Sequence, residues 1–305
     1  MTDDIIDFNF NQIKNCFILL FKDKYLIYSL DPLKLLYKRK HDFEKVKYLN
    51  MYFETNVLIF VIEDNNKDKL ILWDDSKQNK MAEIIISTKI KKILLRKDYL
   101  IIVTFELIYI YNFKDLSLFK KYETLNNTGI CTVTIKKDFI IIFPAEKIGY
   151  FKIKNITKNT TKLIKGHDSS INYLTISEKY ISSVSTNGTI IRIYDLNGKL
   201  IHEFRRGIEK TFINWLSFGI DNNIILCHSK RGTIHLFETQ ETYFNKFLSF
   251  FNNRSIAKFH FKNIKTISII KKDILYVISE FGFFYKINYK DKNDFINVKK
   301  KKLFK

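Results

Sequence analysis

Glycine and proline are scarce, 9 and 2 in 305 residues, which excludes a collagen-like repeat or a long glycine- and proline-rich linker. Turns in such a chain fall largely to Asn, Asp and Lys. Cysteine is scarcer still: Cys16, Cys131 and Cys227 are odd in number, far apart and set in apolar runs such as residues 223–227. Lacking any C-x-x-C spacing, they exclude a disulfide framework, a zinc ribbon and a redox dithiol, and read as reduced core residues of a cytosolic protein. Long hydrophobic runs are missing. Segments such as 16–21 and 139–143 fall far short of the ~18–20 apolar residues that span a bilayer. The start, Met1-Thr-Asp-Asp-Ile-Ile-Asp7, is acidic where a secretory signal is basic. The expectation is a protein that is soluble or peripheral to a membrane.

Catalytic motifs are missing as well. There is no P-loop, nucleophile elbow or zinc-ligand pair, and His167, Asp168 and Ser169 are consecutive, so adjacency cannot make them a triad. No enzyme activity, cofactor or metal is expected. Negative charge is outnumbered: 32 Asp and Glu face 52 Lys and Arg, a net charge of +20. That balance implies attraction to a polyanion, either nucleic acid or an anionic membrane surface.

What the chain has in abundance is β-forming residues. Aromatics reach 15%, mostly Phe and Tyr, and Ile is frequent. Short apolar runs at 16–20, 25–30, 57–62, 69–73, 100–104, 107–111, 139–143 and 148–153 are separated by charged or Asn-rich turns, and no helical period of useful length intervenes. Many short strands predict an all-β sandwich, barrel or propeller. Similar units at 70–74, 108–112, 148–152, 190–195, 233–237 and 282–286 recur at roughly 40 residues, the period of four-stranded propeller blades. The chain has room for about seven such blades, an arrangement that leaves no long exposed sheet edge.

Residues 165–237 are the best ordered. Lys165-Gly-His-Asp168 opens a unit, and residues 181–194 form its hairpin. Aligning Ser185-x-x-Gly188-Thr189 with Ser229-x-x-Gly232-Thr233 puts Arg192 and His235 near equivalent places, each inside an otherwise apolar strand. Arg192 is read either as paired with an acid such as Asp195 or as a ligand for an anion, and His235 either as a satisfied core imidazole or as a ligand. Between the two units stands Phe204-Arg205-Arg206-Gly207. In an extended segment adjacent side chains point to opposite faces, so Arg205 and Arg206 would anchor two separate anions rather than one. The planar guanidinium suits phosphate oxygens. The plainer alternative is that both are solvated or paired with Glu203.

These residues resemble the PROPPIN family, the seven-bladed propellers that bind polyphosphoinositides and include the WIPI autophagy proteins. Phe10-Asn-Gln12 and Asp31-Pro32 look like the family's first blade; Leu70-Ile-Leu-Trp-Asp-Asp75, Leu95-Arg-Lys-Asp98, Ile108-Tyr-Ile-Tyr-Asn-Phe113 and Asn127-Thr-Gly-Ile-Cys131 resemble blades two to four. Phe204-Arg-Arg-Gly207 is the family's signature, and Ser255-Ile-Ala-Lys-Phe259 with Gly282-Phe-Phe-Tyr-Lys286 resembles its last two blades.

The resemblance implies a single seven-bladed WD40-like propeller over residues 1–290, a basic tail over 291–305, and two rim sites for phosphatidylinositol 3-phosphate and 3,5-bisphosphate. The first site would use Arg205 with His167, Ser185, Thr189 and Arg192; the second, Arg206 with Ser229, Thr233 and His235. Lys230-Arg231 departs from the family's usual acidic residue before Gly232. The family's membrane-inserting loop would fall on Tyr243, Phe244, Phe247 and Leu248, whereas Phe250 and Phe251 read better as the entry to an outer strand. Implied partners are autophagy factors, among them a lipid-transfer protein near blades two and three, a branch suggested by Leu72-Trp-Asp-Asp75. The implied location is cytoplasmic, on autophagosomal, endosomal or other organelle membranes. The alternative is a basic propeller that binds RNA or protein without phosphoinositide specificity, although no RNP-like motif supports nucleic acid. If His167 and His235 touch phosphate and titrate near ~6.5, binding should strengthen as pH falls from 8 to 6.

Overall fold

The computed structural model describes residues 4–65, 67–136, 138–239, 255–261, 264–291 and 299–304. Blade 1 is β1 (Asp7–Phe10), β2 (Cys16–Leu20), β3 (Lys24–Ser29) and β4 (Lys34–Lys40). Blade 2 is β5 (Val46–Met51), β6 (Val57–Asp64), β7 (Lys67–Asp74) and β8 (Asn79–Ile86). Blade 3 is β9 (Lys92–Arg96), β10 (Tyr99–Val103), β11 (Leu107–Asn112) and β12 (Leu118–Glu123). Blade 4 is β13 (Thr132–Val133), β14 (Ile140–Pro144), β15 (Tyr150–Asn155) and β16 (Thr160–Lys165). Blade 5 is β17 (Ile171–Ile176), β18 (Tyr180–Ser185), β19 (Ile190–Asp195) and β20 (Leu200–Arg205). Blade 6 is β21 (Ile213–Phe218), β22 (Ile224–Ser229), β23 (Thr233–Glu238) and β24 (Ala257–His260); blade 7 is β25 (Thr266–Lys271), β26 (Ile274–Ser279), β27 (Phe283–Asn288) and β28 (Lys299–Lys302). Each blade is antiparallel with its strands in sequence order. This is the all-β, seven-bladed propeller fold that the ~40-residue period predicts.

The chain divides into two compact units, Met1–Gly129 with blades 1 to 3 and Ile130–Lys305 with blades 4 to 7. In the first unit, β6 shows why the middle strands read as unbroken apolar runs. Leu58 and Phe60 pack with Ile18, Leu20 and Tyr25 of blade 1, whereas Ile59 and Val61 pack with Leu100 and Ile102 of blade 3. Both faces are buried, so the alternation of a half-exposed strand disappears. In the second unit the same arrangement makes one core between blades 4 and 5, another between 5 and 6, and a third between 6 and 7. Each fully buried Ile, Leu or Phe contributes about 1.5–3 kcal/mol relative to exposure.

Turns are made as the glycine count requires. Among the nine described non-glycine residues with positive φ are Lys14, Lys45, Lys272, Asn65, Asn159 and Asn222. Asn tolerates this region best; Lys45 and Lys272 leave their long side chains in water, whereas burial lowers the pKa of the Lys14 ammonium to about 8. Asp74, Asp115 and Asp195 instead accept backbone N–H groups one turn on.

Two expectations are corrected. The strand expected from residue 148 begins at Tyr150, because Gly149 takes φ 79° in the preceding turn and leaves Ile148 66% exposed. Lys299–Lys302, expected in a solvated tail, pair as β28 with β27, Phe283 opposite Lys302 and Tyr285 opposite Lys300. The lysines satisfy the backbone of an outer strand while their ammonium groups stay in water, and Lys300 and Lys302 lie 3.7 and 4.7 Å from the Phe283 ring centroid.

Candidate functional site

Strand β20 carries the two arginines to different places. In its register with β19, Glu203 faces Arg192 and Arg205 faces Ile190. In turn, Arg192 faces Ser183 of β18. Arg192, Glu203 and Arg205 therefore share one face, the one whose Ile181 and Tyr194 pack on Ile140 and Phe151 of blade 4. Phe204 points the other way, into the core with Phe237 and Ile225 of blade 6. Arg206, one residue past the strand, follows Phe204.

On the blade 4 side, Arg205 is exposed and its side chain makes no hydrogen bond or ion pair with any described residue. It sits diagonally across from Arg192, a ~7–8 Å neighbour in an antiparallel sheet. Arg192 is held: its Nε donates to Glu203 Oε2 at 2.7 Å and its Nη1 to the Gly166 carbonyl at 2.5 Å. Asp195, the acid expected to pair with Arg192, accepts the N–H groups of Asn197 and Lys199. His167 is buried, its Nε2 2.8 Å from Ser183 Oγ, and burial followed by the Arg192 charge lowers its pKa to about 4. Ser185 is buried at the end of β18 and Thr189 half-buried just before β19. Arg205 is the exposed cation of this set, and among the described residues its side chain has no counterpart of the Arg192 contacts to Glu203 and Gly166.

On the blade 6 side, Arg206 is half-buried. Its Nε donates to the Gly188 carbonyl at 2.5 Å, its Nη2 to the Glu209 carbonyl, and its backbone N–H to the Thr189 carbonyl at 2.8 Å. Burial, opposed by Cys227 and then assisted by Arg231, lowers its pKa. The same guanidinium acts on His235, whose pKa falls to about 4 through burial, Arg206 and Lys258 in that order. Beneath them, burial pushes the Cys227 thiol up to about 12. Ser229 Oγ is buried without a hydrogen-bond partner, and Thr233, four residues on, is buried too. Arg206 and His235 are thus brought together, with Thr233 on the same face of β23 as His235.

Three residues near this second group were not expected from sequence. Lys258 lies opposite His235 and His260 opposite Thr233, both exposed on β24, and Ser255 Oγ is 3.3 Å from His235 Nδ1. They follow a segment whose length hides the pairing register, so no local pattern places them. Arg231, part of the departure before Gly232, forms an ion pair with Glu209. The expected insertion residues Tyr243, Phe244, Phe247 and Leu248 lie outside the described residues.

The sequence pattern of the PROPPIN family matches residues 5–247. The chain belongs to the PROPPIN family. This PROPPIN is 35% identical over 238 residues to SVP1-like protein 2 of Schizosaccharomyces pombe, a match covering 74% of this chain and 65% of that protein. It is 28% identical over 245 residues to Autophagy-related protein 18e of Arabidopsis thaliana, covering 76% of this chain and 65% of that one. It therefore spans just under two thirds of the length of these relatives. Among solved structures, Hsv2 of Kluyveromyces lactis superposes with a TM-score of 0.81 at 22% identity over 95% of each chain. The KlAtg21 chain from its complex with the coiled-coil of AgAtg16 does so with a TM-score of 0.81 at 18% identity over 96% of each. At these identities the structures establish a common fold.

Proposed function

We propose that this PROPPIN is a peripheral membrane scaffold that recognises phosphatidylinositol 3-phosphate or 3,5-bisphosphate through two rim sites, one on each side of β20. The observation that carries the reading is the divergence of Arg205 and Arg206 onto opposite faces, Arg205 on the face of Arg192 and Arg206 toward the core side where its charge acts on His235. A phosphomonoester carries about −1.5 to −2 charges near pH 7. Arg205 supplies an unpaired guanidinium, and Arg206 supplies one already fixed by two carbonyls. Two weak sites on one body raise apparent affinity for a membrane by ~10²- to 10⁴-fold.

Among the described residues no helix is long and apolar enough to cross a membrane. The role we assign is in autophagy or related organelle trafficking, as its relatives' names suggest. Partners would be autophagy proteins: a lipid-transfer protein near blades two and three, or a coiled-coil protein of the kind that KlAtg21 binds.

The test is flotation with liposomes carrying phosphatidylinositol, its 3-phosphate, 4-phosphate or 3,5-bisphosphate, comparing the wild type with Arg205→Thr/Arg206→Thr at physiological salt. Selective binding to the 3-phosphorylated lipids, abolished by the double substitution, is the expected result. Equal binding to every anionic liposome, indifferent to the arginines, would sink the reading in favour of generic polyanion attraction.

A further inference from the structure

Ile208, two residues beyond Arg206, is 82% exposed, more than any other exposed large apolar side chain described. Single exposed apolar residues are ordinary; the placement of this one is not. The segment that carries it is tied down on both sides. Arg206 is bonded to the carbonyls of Thr189, Gly188 and Glu209, the Thr211 N–H donates to the Asn187 carbonyl at 3.0 Å, and Glu209 pairs with Arg231. Ile208 is therefore held out in water by a fixed backbone. Beside it, Gly207 has nothing within 4 Å of where a Cβ would stand, so the backbone there faces open space. At the far end Phe212 is 52% exposed.

The charge around this tip selects what it can meet. Arg205, Arg206, Lys210, Lys230 and Arg231 stand against two carboxylates, Glu209, which pairs with Arg231, and Glu203, which pairs with Arg192. A basic surface is excluded, and an anionic one with hydrocarbon immediately beneath its charges fits both the rim and the tip. We propose that Ile208 is a membrane wedge, entering the lipid monolayer between the two headgroups that Arg205 and Arg206 hold. The inference rests on the phosphoinositide reading above. Two residues of chain reach at most about 7 Å, comparable to the ~5–10 Å at which apolar side chains settle at the headgroup and acyl boundary. The wedge adds affinity for a bilayer that no soluble headgroup can report.

The experiment compares neutral phosphatidylcholine vesicles, with and without phosphatidylinositol 3-phosphate, against soluble inositol 1,3-bisphosphate. Ile208→Ser should weaken binding to the lipid-bearing vesicles about tenfold, equivalent to about 1.4 kcal/mol, and leave affinity for the soluble headgroup unchanged. In Ile208→Trp, emission should shift to the blue and be quenched by brominated acyl chains only when the 3-phosphate is present, with wild-type emission as the baseline. Wild-type vesicle affinity in Ile208→Ser, an equal loss toward soluble headgroup, or an unquenched Ile208→Trp would each overturn the wedge. Arg205→Thr/Arg206→Thr separates the two ideas. If it binds lipid-bearing vesicles as the wild type does while Ile208→Ser does not, the headgroup reading falls and an apolar membrane contact at Ile208 stands. If the wild type binds no vesicle, both fall.

Discussion

At the residue scale the two arginines differ in what they do before any ligand arrives. Arg205 touches no described partner, so Arg205→Thr should leave the thermal midpoint unchanged while removing one binding site. Arg206 holds the Gly188 and Glu209 carbonyls, and Arg206→Thr should cost about 1 kcal/mol of stability as well as the second site. Differential scanning of the two single variants checks this; equal midpoints would mean that the carbonyl contacts contribute nothing. The histidines bear on the pH dependence of binding. Burial, with a nearby cation in each case, lowers His167 and His235 to about 4, so neither gains a proton between pH 8 and 6.5. Vesicle affinity should be flat over that range, above the second ionisation of the phosphomonoester near ~6. Stability should not be flat below it. His167, His228 and His235 sit near 4 folded and near ~6.5 unfolded, so the unfolded chain takes up protons first as the pH drops. Stability is fully present above ~6.5 and is lost as pH falls toward 4. A midpoint that is the same at pH 7.5 and pH 5 would show that these imidazoles titrate normally.

At the scale of elements, the turn between β18 and β19 braces the segment that carries Arg206. Gly188 takes φ 63°, and a Cβ there would stand 1.8 Å from the Thr211 carbonyl oxygen, so that two loops of the rim approach each other through glycine. Gly188→Ala should cost about 2 kcal/mol or more and displace the segment that carries Arg206. Gly207→Ala, with open space around it, is the matched control and should leave the midpoint unchanged. If the two variants melt together, the close approach has been overstated. The outer strands show where sequence reading is weakest: β4, KLLYKRK, and β28, four lysines, are exposed along their length. Their place in the blade comes from pairing with an apolar neighbour strand, which no periodicity of their own announces.

At the scale of the whole molecule, the charge of +20 supplies attraction that is long-ranged and indifferent to lipid identity. Salt separates it from the sites, because the Debye length falls from ~8 Å at physiological ionic strength to ~3 Å at 1 M. Raising salt should abolish binding to plain anionic vesicles and only weaken binding to vesicles with the 3-phosphorylated lipid. Parallel loss of both would assign the membrane affinity to charge alone.

The sequence by itself determined the class of fold and singled out the two arginines proposed for the sites. A blade repeats every ~40 residues with apolar middle strands, and an Arg-Arg pair on an extended strand must diverge because successive side chains alternate. Only the tertiary structure decided how those residues are engaged. Arg192 is bound by Glu203 and Gly166 rather than Asp195, the Arg206 charge acts on His235 and Cys227, and Lys258 stands opposite His235. Such pairings join segments separated by turns and loops whose register is set by backbone hydrogen bonds and packing between blades. The low pKa values of the buried histidines follow from the same packing, since desolvation belongs to the assembled blades and to no stretch of chain alone.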